Sequence, residues 1–415
     1  MRAVVAYPGG GAFAQQAALA FQEQGWLAAF VTTLAHRTDG PLAKALARLP
    51  GGLGRRLEAE LGRRAVILDP AKVKTYPLWE LARLGAMRAG AGPVLVDRAW
   101  DRLSHSFDRT VADRHVPGAE VVYAYEYTAL ASFERARREG VATVLELPSL
   151  SSRAYEALQR GERARHPELR TPHDAYFDAR FEARQARRDR EIELADVIVT
   201  NSRLTMRSHV EAGADPAKFV VAPLAAPPAI AAVERDFAPE RPLQALWAGG
   251  FRLGKGAHVL LEALRGLGRC GQLRTDVYGK VQLPDAALGG AEGLVFRGAT
   301  AQPRLFEAME AADVLVFPTL SDGFGLVVVE AFARGLPVIA TDRAGAAELV
   351  RDGENGLVIP AGDPAALREA LAWCLDNRRR LHEMRLAALE TARNWQWPDY
   401  RRTLMRALAP RFGQT

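Results

Sequence analysis

A chain of 415 residues is too long for one ordinary domain and implies two of about 200 residues each. With 48% apolar and 25% charged residues it reads as a soluble globular protein, and no apolar run approaches the ~18 residues of a membrane span. The net charge of +6 is carried mainly by arginine, but no recognised module or interleaved aromatic platform accompanies it, which argues against nucleic acid as a partner.

The N-terminus enters a short strand directly, without the apolar region and cleavage site of a signal peptide, so the expected location is the cytoplasm. Strands are expected at Ala3–Tyr7, Leu27–Thr32, Ala65–Leu68, Val121–Tyr125, Val141–Glu146, Val197–Thr200 and Phe219–Ala222. Each is short and Val-rich, and helical-length segments separate most of them. That is the pattern of a parallel sheet covered on both faces. Between Arg153 and Arg190 arginines alternate with acids, which reads as a solvated helix laced with (i, i+4) ion pairs. The alternative is a basic face for anionic lipid head groups, a peripheral membrane contact. Pro223, Pro227 and Pro228, then the polar stretch Glu234–Pro242, read as a linker.

The pattern then restarts, with strands at Leu243–Ala248, Thr275–Tyr278, Leu294–Phe296, Val314–Phe317 and Pro337–Thr341 and helices such as His258–Leu267. The fold class is therefore α/β, two Rossmann-like doubly wound domains at residues 1–238 and 239–394. A helical tail over residues 395–415 carries Trp395 and Trp397 and is expected to pack back on the first domain.

Two loops carry the chemistry. Phe317-Pro318 ends a buried strand and leads into a loop with Gly323 and Gly325, which leave no Cβ in a ligand's way. The helix Leu326–Arg334 follows, so its N-terminus faces the sheet's C-terminal edge, where doubly wound folds bind ligands. Asp322 and Glu330 bracket loop and helix and suit sugar or ribose hydroxyls. The second loop, Gly249-Gly250-Phe251-Arg252-Leu253-Gly254-Lys255-Gly256, puts two cations on a Gly-rich turn where they can clamp a diphosphate.

In order and spacing these elements resemble the retaining glycosyltransferases of family 4, in the glycogen-synthase-like superfamily with the GT-B fold. That family carries Glu-x7-Glu with Phe-Gly inside it, then Glu-Ala-x-Ala-x-Gly-x-Pro-Val-Ile. Here the motif stands as Asp322 through Glu330, continuing through Ala331, Ala333, Gly335, Pro337, Val338 and Ile339, with the further run Glu348–Leu357. The resemblance implies two domains facing across a cleft. Glu330 would bind the donor's ribose and Asp322 the transferred sugar; the backbone of Phe324, Gly325 and Leu326 would hold the phosphates and Lys255 would neutralise them. Gly279, Arg297 and Gly298 would line the base pocket, and Gly10 and Gly11, in the loop Pro8–Ala14, would face the donor from the first domain. Glu126, at the end of a strand, is a candidate acceptor contact. Two departures stand out: Asp322 replaces the usual Glu, and Gly250 stands where the family carries an arginine, for which Arg252 is the proposed substitute.

The loop Pro8–Ala14 also fits a dinucleotide fingerprint, but Thr32-Thr33 stand where its acid belongs, so NAD is not expected. None of the eight histidines forms a metal cluster and Asp-x-Asp is absent, so no metal is expected; Cys270 and Cys374 read as buried or incidental thiols. The expected activity is metal-independent transfer from a UDP-, GDP- or other nucleoside-diphosphate sugar to a glycan, lipid-linked or small-molecule acceptor. An epimerase or phosphorylase of the same fold, or a non-catalytic sugar-nucleotide-binding subunit, remains the alternative.

Overall fold

The structure, a computed structural model, describes residues 1–36, 62, 64–232, 237–268, 271–290 and 292–412. Most of the segment Leu34–Leu61, part of the linker Glu234–Pro242, and Cys270 lie outside the described residues.

The first half builds β1 (Ala3–Ala6), α1 (Ala12–Glu23), β2 (Leu27–Thr32), β3 (Val73–Thr75), α2 (Leu78–Arg88), α3 (Pro93–Arg114), β4 (Val121–Tyr125), α4 (Leu130–Glu139) and β5 (Ala142–Leu147). It continues with α5 (Ser152–Arg165), α6 (Asp174–Leu194), β6 (Val197–Thr200), α7 (Arg203–Glu211) and β7 (Phe219–Val221). The second half gives β8 (Leu243–Ala248), α8 (Ala257–Leu267), β9 (Leu273–Tyr278), β10 (Leu294–Phe296), α9 (Gln302–Ala311), β11 (Val314–Phe317) and α10 (Leu326–Ala333). Then come β12 (Val338–Thr341), β13 (Gly356–Ile359), α11 (Pro364–Asp376), α12 (Arg378–Asn394) and α13 (Trp397–Phe412).

Two parallel sheets result, in the orders β3-β2-β1-β4-β5-β6-β7 and β10-β9-β8-β11-β12-β13. Both reverse direction beside their first strand, which opens a crevice at the strands' C-terminal ends. The central strands β1, β4, β6, β11 and β12 are buried along their whole length, which is why they read as unbroken apolar runs.

Two edges depart from expectation. Ala65–Leu68 is not a strand; only Ala65 bridges, to His36, and the sheet edge is β3 instead. The Gln15 side chain of α1 engages its backbone: Nε2 donates to Ala65 O (2.7 Å) and Oε1 accepts from Ile67 N (3.4 Å). The edge strand β13 went unread, because Leu357 and Val358 are only partly covered and give no buried run.

The Arg-rich segment splits into α5 and α6, and its ion pairs mostly join different helices rather than successive turns. Arg184 pairs with Asp97 and Asp101 of α3 and Arg187 with the fully buried Asp108, so this face is packed against aspartates of another helix instead of solvated. Cys374 is buried, and burial pushes its thiol up to about 12.

The tail crosses back. Trp395 Nε1 donates to the carbonyls of Pro223 (3.2 Å) and Leu224 (3.1 Å), and α13 lies on α1, where Arg401 meets Glu23 and Gln16. Tyr400 of α13 is buried beside Tyr123 and Tyr125, around the fully buried Glu146, which accepts from Tyr123 Oη at 2.6 Å. Desolvation raises the Glu146 carboxyl to about 7. A raised carboxyl favours the folded state while protonated: its contribution is complete below the unfolded value near 4.5 and is lost as pH rises through about 7. Unfolding followed from pH 5 to pH 8 should therefore show a fall to which Glu146 contributes up to about 3 kcal/mol, so that Glu146→Gln makes it shallower by that amount. An unchanged slope in that variant would remove Glu146 as the cause.

Candidate functional site

The loop after β8 is shaped by close backbone approaches. A Cβ on Gly279 would lie 1.8 Å from Gly249 O, and one on Gly256, at φ 76°, would lie 1.8 Å from Pro318 O. The loop is thus pressed against the end of β9 on one side and the end of β11 on the other. Hydrogen bonds stitch it to the β11 loop: Gly254 O accepts from Leu320 N (3.2 Å) and Thr319 Oγ1 (3.3 Å). This seating brings Lys255 Nζ onto Asp322 Oδ2, with the ammonium 5.6 Å from the Phe317 ring centroid. Both side chains keep about a fifth of their surface exposed, so the pair remains open to a ligand.

Arg252 opens toward the same cleft and donates to Tyr155 Oη of α5 at 3.1 Å. Its Cδ lies 3.8 Å from where a Cβ on Gly250 would stand, so its stem passes beside the position left without an arginine. If Arg252 substitutes there, Arg252→Ala should lower turnover by about tenfold or more. Full activity in steady-state assays would show that it does not.

A cleft of about 470 Å³ lies over these groups, with Lys255, Arg252 and Asp322 on one side and Glu126, Arg184 and Arg188 on the other. Glu126 follows β4, forms an ion pair with Arg188, whose Nε lies 3.1 Å away, and is joined by Ser152. The next residue, Tyr127, has φ 72°, the one positive φ at a non-glycine among the described residues. Stacking on Trp100 (centroids 4.8 Å apart) and an amide donating to Glu191 hold it there. Desolvation raises the buried Glu191 carboxyl to about 8.

The β11 loop has a different use for one glycine than a ligand's approach. A Cβ on Gly323 would sit 2.1 Å from Pro148 O, so first-domain backbone, not a diphosphate, occupies its bare face. Gly323 O accepts from Ser202 Oγ (2.6 Å) and Thr205 Oγ1 (3.0 Å), which ties the two domains together. Gly325, at φ 90°, caps α10 and has Phe317 against it, and Phe324 N donates to Asp322 Oδ1 at 3.3 Å. Leu326 opens the helix at this point.

Glu330 sits farther along α10, half-buried, accepting from Gln302 Nε2 at 2.9 Å, and burial raises its carboxyl. It is not on the walls of the 470 Å³ cleft. Gly279 N donates to Gly298 O at 3.0 Å, which draws the ends of β9 and β10 together, while Arg297 turns to Asp276 (3.2 Å). Gly10 and Gly11 lie in the turn before α1, held by Thr33 Oγ1 on Pro8 O (2.5 Å) and Thr32 Oγ1 on Gly9 O (3.3 Å). They too lie off the cleft's walls.

Three cleft residues, Tyr155, Arg184 and Arg188, were not singled out from sequence; the only trace of the two arginines was the charge run itself. One reading is corrected. Histidines do join a potential metal-binding group, since Glu162, His166 and His258 bring donor atoms within 4.8 Å of one another. They escaped notice because His258 lies in the second domain, far along the chain from the other two.

Residues 242–377 match the family model described as glycosyl transferases group 1. Among curated relatives, the chain is 36% identical over 157 residues to a phosphatidyl-myo-inositol mannosyltransferase of Mycobacterium leprae, covering 37% of this chain and 42% of that one. It is 34% identical over 228 residues to a D-inositol 3-phosphate glycosyltransferase of Nocardia farcinica, covering 49% and 50%. The matches thus span half or less of those relatives' length. Over whole chains the fold is similar to sucrose-phosphate synthase of Thermosynechococcus elongatus (TM-score 0.63, 17% identity, 100% of both chains). It is also similar to Anabaena HepE in complex with UDP (TM-score 0.60, 16% identity, 99% of this chain and 100% of that one). The fold is therefore GT-B, and within the second domain residues 242–377 are similar to the glycosyl transferases group 1.

Proposed function

We propose that the chain is a retaining glycosyltransferase that uses a nucleoside-diphosphate sugar and needs no metal for the reaction. The observation that carries this is the Lys255–Asp322 pair, formed where two Gly-rich loops meet at the strand ends and open to the cleft. A bound diphosphate competes with Asp322 for the ammonium. Asp322 is then free to accept from hydroxyls of the transferred sugar, while Lys255 and Arg252 compensate the phosphate charge. Glu330, on the helix that follows the Asp322 loop, takes the ribose hydroxyls.

In the reaction the acceptor oxygen bonds to the anomeric carbon as the bond from that carbon to the phosphate oxygen breaks. The diphosphate leaves with the electron pair and takes up the acceptor's proton, which delivers attack on the face it vacates and so retention. The role of Glu126 is at the acceptor, across the cleft from Lys255. The family match and the UDP found in HepE support the donor class. The acceptor is a glycan, a lipid-linked sugar acceptor or a small molecule; the curated relatives named for inositol lipids or phosphates make inositol derivatives the first to assay.

The test is turnover of UDP- and GDP-hexoses with inositol derivatives in EDTA, with product anomers assigned by NMR. Equal rates in EDTA and in magnesium, with a retained anomer, support the proposal. Activity only with magnesium, or inversion, would overturn the corresponding part.

A further inference from the structure

Beside the donor loops the two domains meet at a second polar cluster. Glu162 in the last turn of α5 and His166 at its C-terminal cap are one helical turn apart and share a face. His258, in the first turn of α8, reaches that face from the second domain. Its Nε2 lies 3.1 Å from Glu162 Oε2, and the two histidine rings are 4.8 Å apart. Glu162 Oε2 is in turn 4.0 Å from His166 Nε2. Around a zinc with bonds of about 2.0–2.1 Å, tetrahedral ligand atoms stand about 3.3 Å from one another. A small swing of His166 separates the observed arrangement from that one.

We propose that Glu162, His166 and His258 form a zinc-type divalent metal site that staples α5 of the first domain to α8 of the second. Two imidazoles and one carboxylate suit Zn²⁺ and leave a fourth position for water, whereas Mg²⁺ and Ca²⁺ prefer oxygen alone. The outer contact that usually orients a ligating histidine is in place, since Glu168 Oε1 lies 3.4 Å from His166 Nδ1. His258 Nδ1 is buried without a hydrogen-bond partner, so the ring is held by packing and by its Nε2 contact with Glu162 alone. Glu162 and His258 are buried while His166 is partly exposed, which gives the ion a way in. Arg165 holds the other Glu162 oxygen and fixes the carboxylate's direction.

On binding, the ion takes the place of the proton between His258 Nε2 and Glu162, and the neutral imidazole carries its proton on Nδ1 instead. The site borders the donor loop without entering it. His258 follows Lys255 by three residues, and a Cβ on Gly254 would meet Tyr155 Oη (2.5 Å) and Gln159 Nε2 (2.6 Å) of α5. The ion therefore fixes the angle between the domains beside the cleft and takes no part in sugar transfer.

The experiment is calorimetric titration of ZnCl2, and separately MgCl2, into untagged full-length protein stripped with a chelator. One equivalent of Zn²⁺, no Mg²⁺ binding, and a melting temperature raised by Zn²⁺ are expected. His166→Ala and His258→Ala should each weaken the affinity by about tenfold or more. His166 caps its helix and is partly exposed, so that variant keeps the test valid if the buried His258 variant fails to fold. Absence of zinc binding, or zinc binding unchanged in His166→Ala, would overturn the site.

Discussion

Lys255→Ala should lower kcat by about 10²-fold or more, the scale on which a preorganised charge at a leaving group acts. The structure gives a reason for so large an effect. Lys255 is placed by backbone that has no room to shift, between Gly256 against Pro318 O and Gly254 bonded to Leu320. Removing its ammonium also strips Asp322 of its partner, so an incoming diphosphate meets an uncompensated carboxylate. The loss of nucleotide affinity in Lys255→Ala should therefore exceed that in the double variant Lys255→Ala, Asp322→Asn, because the double variant removes the repulsion as well. Steady-state kinetics with a thermal-unfolding control decides it: a folded Lys255→Ala enzyme with wild-type turnover would remove the clamp from the mechanism.

Glu330→Ala should abolish measurable turnover and weaken nucleotide binding by about tenfold to hundredfold, the worth of one or two hydrogen bonds to a charged acceptor. Glu330 is well placed to make that difference because it is half-buried and already engaged by Gln302, so its direction is set before a ligand arrives. Burial raises its carboxyl, so protonation comes at a higher pH than for an exposed glutamate and nucleotide affinity should fall as pH is lowered toward it. A sharper readout is the ratio of affinities for UDP and 2′-deoxy-UDP. That ratio should collapse toward unity in Glu330→Ala, and an undiminished ratio would place the ribose elsewhere.

The meeting of the two Gly-rich loops was legible in sequence for a physical reason. Parallel strands buried on both faces must be apolar throughout, so β8 and β11 announce themselves, and their C-terminal ends fall side by side in a doubly wound sheet. Lys255 and Asp322 follow those ends, so topology makes them neighbours and the loop–loop hydrogen bonds bring them into contact. What could not be read depends on packing between segments distant in the chain. The bare face of Gly323 serves Pro148, the arginines of α6 answer acids on α3, and Glu162 and His166 meet His258 only once the domains close. The strand expected at Ala65–Leu68 failed likewise, because the Gln15 side chain of α1 engaged its backbone in place of a neighbouring strand.

The central claim, that the clamp is built for a nucleoside diphosphate, is tested most directly by calorimetric titration of UDP, GDP, ADP and TDP into chelator-treated protein. The account predicts selective micromolar binding of one of them, lost or strongly weakened in both Lys255→Ala and Glu330→Ala. Failure of all four to bind, or binding indifferent to both substitutions, would contradict it.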